Sequence, residues 1–283
     1  MSKFVLHLFR LVVALFVLFG ATFPARSAGE AEVYTLGVIP AAPPVTLHKL
    51  WTPVIDRLSK DTGIEFRLKL YDRMAEFERE IGRGTPDFIF SSPIQLVVAR
   101  QSAGYIPLVR DNKLIDIGLF VRQDSPIRSI DDLAGKKISF VGNKNICSVY
   151  MQHLLMSHGK DLSFEREYAG STKNVLLNVL LGKVDAGAAL SPEMERAPEE
   201  TRAQLREVVS TPKFTPHPLS AHPRVPAPVR EAVKKALLNI AASPESVVML
   251  KAINLSNLVE ANYQKDYSKL EEIDIKGLTN WGE

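Results

Sequence analysis

The 283-residue chain contains one cysteine, Cys147, so no internal disulfide can form. It lacks the Gly-x-Ser-x-Gly elbow of the serine hydrolases. A cysteine nucleophile would need a positioned base, and no hydrolase signature surrounds Cys147. Histidines are few and scattered: His153 and His158 stand five apart and do not share a helix face, while His217 and His222 lie among prolines. Cys147 and Met151 are soft enough for copper(I), although a core stripe accounts for them more simply. There is no internal repeat and no low-complexity tract. These absences predict a protein that is not an enzyme, with no cofactor and no metal.

Long apolar runs are also scarce. Leu11 to Phe19 is one, and it is too short to span a bilayer comfortably. Lys3 and Arg10 precede it and Ala25-Arg26-Ser27 follows, which is the grammar of an export signal over residues 1–27, cut near Ser27/Ala28. The expected location is the periplasm. That segment carries three of the 35 basic residues and no acid, so the remainder has 32 basic against 32 acidic side chains. A charge near zero gives no support for binding nucleic acid or a membrane surface. In an oxidising compartment a lone thiol is either buried and inert or retained for its chemistry.

What is present is an alternation of short β-rich runs and helical stretches. Strands are predicted at Val33–Ile39, Ile64–Tyr71, Asp87–Ser92, Leu114–Gln123, Lys137–Val141, Ser163–Tyr168 and Val184–Leu190. Helices are predicted at 46–60, over "RMAEFEREIGRG", from Pro93, from about Asn145, after Ser171 and from Val229 onward. This order predicts an α/β protein with mainly parallel sheets in two lobes. Residues 28–118 and 213–283 would form lobe 1 and 119–212 lobe 2, with hinge crossings near 114–123 and 205–218.

Open α/β sheets bind ligands beyond the carboxyl ends of their strands. The loops "GNKNICS" and "AGSTKN" both run into helix starts there, which suits a small oxyanion, although most such termini in α/β proteins stay empty. Cys147 is either the first residue of a core stripe with Tyr150, Met151, Leu154 and Leu155, or a thiol activated by its place in the first turn. Ser91 and Ser92 either face the cleft or cap the helix after Pro93, and Thr46 is a candidate cap of its own helix. Glu193 is either a surface glutamate or an acceptor for a ligand hydroxyl.

The pieces "GVIP", "LSKDTGIEF", "RGTPDFIFSSP", "GYIPL", "VRQDSPIRSIDDLAGKKISFV", "AGST" and "LLGKVDAGAAL" together resemble the periplasmic binding proteins for phosphonate, phosphite and phosphate that feed ABC transporters. The resemblance implies a two-lobed (type II) binding protein whose ligand lies in the cleft between the lobes. Family members usually carry Asp-Pro-x-Ser-Thr-Ser-Gly where this chain has Gly142 to Ser148. The usual Gly-Ser-His is Gly170-Ser171-Thr172, and His217 replaces a commonly acidic position. The implied ligand residues are Asn145, Ile146, Cys147, Ser148, Ser171, Thr172, Ser91, Ser92, Glu193 and His217. The lost hydroxyls and added thiol make the chain similar to an arsenite-binding branch that signals to a membrane sensor histidine kinase. On that likeness the expected ligand is arsenite bonded to Cys147. The alternative expectation is phosphite, phosphonate or phosphate, delivered to an ABC permease.

Overall fold

A computed structural model describes residues 33–158, 162–279 and 281; the predicted export signal lies outside them. Two mixed sheets, each flanked by helices, account for the fold. In the first sheet, β1 (Val33–Val38) pairs parallel with β2 (Glu65–Lys69) and with β3 (Phe88–Phe90). The crossovers between them are α1 (Pro44–Thr62) and α2 (Met74–Gly82). Then α3 (Pro93–Ala103) leads to β4 (Ile106–Asp111). Trp51, Val54, Ile55 and Leu58 form the buried stripe of α1, at helical spacing. Gly63 ends that helix in the left-handed conformation (φ 70°), which glycine adopts without a Cβ penalty. Thr46 is not its cap: Pro43 holds that position with no side-chain bond, and Thr46 is exposed.

The second sheet begins with β5 (Ile117–Arg122) and continues with β6 (Lys137–Phe140), α4 (Ile146–His158), β7 (Glu165–Tyr168) and α5 (Thr172–Leu180). It is completed by β8 (Ala186–Leu190), the short helices α6 (Ser191–Glu195) and α7 (Glu199–Ala203), and β9 (Leu205–Ser210). The strand order is β7-β6-β8-β5-β9. The small residues of "DAGAAL" have a packing reason. A Cβ on Gly187 would lie 2.6 Å from Val175 Cγ1 and 2.8 Å from Val179 Cγ2, so only glycine lets α5 settle this closely on β8.

The chain then re-enters the first sheet through β10 (Pro218–Ala221), followed by α8 (Ala227–Ala242), α9 (Pro244–Ala252) and β11 (Leu258–Glu260). α10 (Tyr263–Asp266) and α11 (Ile275–Leu278) close the fold. The first sheet has the order β11-β4-β10-β3-β1-β2. Both sheets are mixed rather than mainly parallel in their pairings, and β11 also pairs antiparallel with β4. Each strand that arrives from the other sheet, β5 or β10, inserts antiparallel into the middle of its new sheet. Pro218 is tolerated in central β10 because it is the first residue of the strand, where no ladder N–H is required.

The candidate oxyanion site

Three parallel strands, β7, β6 and β8, end side by side, and the loops beyond them carry most of the predicted site. After β6, the turn spends its polar groups on itself. Gly142 N–H donates to Ser148 Oγ (3.3 Å), and Cys147 N–H donates to Asn145 Oδ1 (2.9 Å). Ile146 and Ser148 are buried at the start of α4. After β7, Gly170 takes φ 80° and Ser171 caps α5, accepting from Asn174 N–H at 3.2 Å. Thr172 Oγ1 donates to Glu193 Oε2 on α6, which follows β8 directly. Cys147, Thr172 and Glu193 thus converge from three helix starts.

The thiol itself is buried. Cys147 is 1% exposed and joins the apolar core with Met151 and Leu155. Burial pushes its pKa well above the ordinary thiol range, and the negative charge of Glu193 adds to that; the Leu190 N–H and its own N–H oppose it. Of the two readings of Cys147, its burial favours the core stripe, with desolvation outweighing the helix end.

On the first sheet, Ser92 forms a reciprocal capping box with Gln95: Ser92 N–H donates to Oε1 at 3.0 Å, and Gln95 N–H to Ser92 Oγ at 3.3 Å. Ser91 is fully buried and its Oγ has no hydrogen-bond partner. Next to it, the Phe90 ring stacks on His217 with centroids 5.7 Å apart, and Trp51 lies 5.0 Å from Phe90 on centroids. Burial in this aromatic setting pushes the His217 pKa down to about 4, so its ring is neutral at neutral pH. Ser91, Ser92 and His217 therefore group on one sheet, and Asn145 to Ser148, Ser171, Thr172 and Glu193 on the other.

Sequence reading missed one pair. Lys144, in the turn after β6, places Nζ 3.0 Å from Glu78 Oε2 of α2, which joins the two sheets' surroundings. Glu78 is 1% exposed. The signal was available, because Glu78 sits beside Phe77 and near Ile81 on the buried stripe of α2. A carboxylate there needs a partner. Among the described residues no group of histidine, cysteine and carboxylate side chains is arranged to hold a metal ion. No helix among them is long and apolar enough to cross a membrane.

Two sheet-and-helix lobes, with polar helix starts gathered at strand ends, define a solute-binding protein of the two-lobed periplasmic class. The chain belongs to the family described as "ABC transporter, phosphonate, periplasmic substrate-binding protein", whose model matches residues 36–267. No curated protein matches the sequence. PhnD1 from Prochlorococcus marinus (MIT 9301), solved with methylphosphonate, is similar in fold at 18% identity, covering 87% of this chain and 98% of its own, with a TM-score of 0.71. XAC2383 from Xanthomonas citri, solved with ATP, has 16% identity, 89% and 99% coverage and a TM-score of 0.73. A binding protein component of an ABC phosphonate transporter from Pseudomonas aeruginosa (PA3383) has 15% identity, 82% coverage of both chains and a TM-score of 0.59.

Proposed function

We propose that this protein captures a small phosphorus oxyanion, namely phosphite, a phosphonate or phosphate, in the periplasm and hands it to an ABC permease without altering it. The carrying observation is the family match over residues 36–267, which spans both sheets and every predicted site residue. The ligand would lie in the cleft between the edge holding Cys147, Thr172 and Glu193 and the edge holding Ser91 and His217. The lobes, 28–118 with 213–283 and 119–212, would hinge at the crossings near 114–123 and 205–218. Residues 1–27 would be removed on export, with the cut after Ser27, which the mass of the secreted protein would reveal.

Titration calorimetry of the wild type and Cys147→Ser with phosphite, methylphosphonate, phosphate and arsenite tests this reading. We expect one phosphorus oxyanion per chain in both proteins. The second reading, arsenite bonded to Cys147 and presented to a sensor histidine kinase, keeps one observation in its favour: the sole thiol stands in the loop after β6. Its burial and raised pKa count against it. Binding of arsenite alone, lost in the serine variant, would reverse the order of the two.

A further inference from the structure

β11 lies at the outer edge of the first sheet, yet the segment after it reaches a helix of the second. Its start is fixed on the first sheet. Asn262 caps α10 by accepting from Lys265 N–H at 2.9 Å. Asp266 meets the Arg110 guanidinium of β4 at 3.0 Å, with both side chains largely buried. Tyr267, 0% exposed, then donates its hydroxyl to Pro216 O at 3.0 Å, in the crossing near 205–218. A turn of 3-10 helix, Ser268–Glu272, packs on α3 with Leu270 buried. Beyond it α11 packs on α4, and Ile273, Ile275 and Thr279 are buried. Tyr150 of α4 lies near this segment: burial and the charge of Glu272 push its hydroxyl pKa up.

We propose that residues 263–279 are a strap, a third crossing between the lobes that holds them in their closed arrangement. This rests on the hinged two-lobe reading above. α4 opens with the turn that holds Asn145 and Cys147, so whatever fixes α4 fixes one rim of the cleft. The strap is docked in the same conformation in which Lys144, beside that turn, meets Glu78 of α2. Docked strap and closed rim therefore belong to one state, and loosening the strap moves the population away from it. The resistance is hydrophobic. Lifting α11 from α4 would expose Ile273 and Ile275 to water, and that opposes opening.

Two comparably buried side chains separate this role from plain destabilisation. Ile275→Ala trims the strap, while Leu250→Ala opens a gap in α9, which packs on α1 and α8. Both variants should melt at lower temperature. Only Ile275→Ala should raise the radius of gyration in small-angle scattering and speed amide exchange in α4, by at least about tenfold. It should also weaken methylphosphonate or phosphite binding about tenfold in calorimetry, because the ligand must then drive redocking. Tyr267→Phe removes only the hydroxyl that reaches Pro216, and should act in the same direction but more weakly. Equal scattering and α4 exchange in Ile275→Ala and Leu250→Ala, or tighter oxyanion binding in Ile275→Ala, would overturn the strap. If Ile275→Ala does not fold, wild-type scattering and exchange in Tyr267→Phe would overturn it. A wild type that binds neither anion would sink the oxyanion reading instead, with scattering and exchange still deciding the strap.

Discussion

At the scale of single residues, the chemistry of this protein is decided by burial more than by sequence neighbourhood. Cys147 begins a helix, yet its thiol is enclosed by core side chains and faces the Glu193 charge. Alkylation by iodoacetamide at neutral pH should therefore be slow, at least about tenfold slower than for a free thiol. It should speed up in Glu193→Gln, which removes the charge; equal rates for the folded wild type and a cysteine peptide would contradict the burial argument. His217 offers a pH test. Its folded pKa of about 4 lies below the unfolded value of 6.5, so the unfolded chain binds more protons between them. Stability is then full above pH 6.5 and is lost as pH falls toward 4, by an amount on the order of 2–3 kcal/mol. Urea midpoints measured from pH 7 to 4.5 should show this loss, and His217→Gln should flatten it across that window. Carboxylates such as Asp87, whose pKa is lowered by bonds from Thr35 and Arg224 against the opposing effect of burial, add their own loss only at lower pH.

At the scale of elements, what could be read from sequence was whatever is encoded locally. The stripe of α1, the glycine that stops it and the Ser171 cap of α5 each depend on residues a few positions apart, and the structure contains all three. β10 escaped because its neighbourhood, Pro216 to Pro223, reads as loop, and its place between β3 and β4 depends on partners more than 100 residues away. The same holds for the site. The candidate loops were legible because parallel strands end in them, but the Lys144–Glu78 pair and the Leu190 and Glu193 surroundings of Cys147 arise only when distant segments meet. Gly187 links element packing to the site. In Gly187→Val the new side chain would press on Val175 and Val179 and lift α5, whose first turn carries Thr172. We expect a loss of about 1–3 kcal/mol, read as a melting temperature lower by several degrees, together with weaker oxyanion binding. Gly142→Ala, where a Cβ meets nothing within 4 Å, is the matching control for space.

At the scale of the whole molecule, the question is what holds the two lobes against each other. The crossings are tied together where Ile115 bridges Phe214, and Phe214 packs edge-on against Tyr150 of α4, with centroids 5.1 Å apart. After β11 the chain supplies a further tie. Tyr267 is fully buried with its hydroxyl donating to Pro216 O at 3.0 Å, and α11 rests on α4. Phe214 and Pro216 belong to the crossing near 205–218, the hinge proposed above. The Lys144–Glu78 pair joins the turn after β6 to α2, and both side chains are largely buried in it. Taking Lys144 away from a carboxylate that is 1% exposed weakens the compensation of a buried charge, at a cost of up to about 3 kcal/mol unless the site opens to water. If the lobes hinge as proposed above, opening is the cheaper response. Lys144→Gln should therefore shift the population toward an open form, seen as a larger radius of gyration by small-angle scattering with methylphosphonate present. Affinity should weaken by about 10- to 100-fold, because ligand energy must now drive closure. Replacing both members, Lys144→Met with Glu78→Leu, should recover much of the compactness, since no charge is left stranded. If Lys144→Gln scatters indistinguishably from the wild type and binds as tightly, the pair is no part of closure.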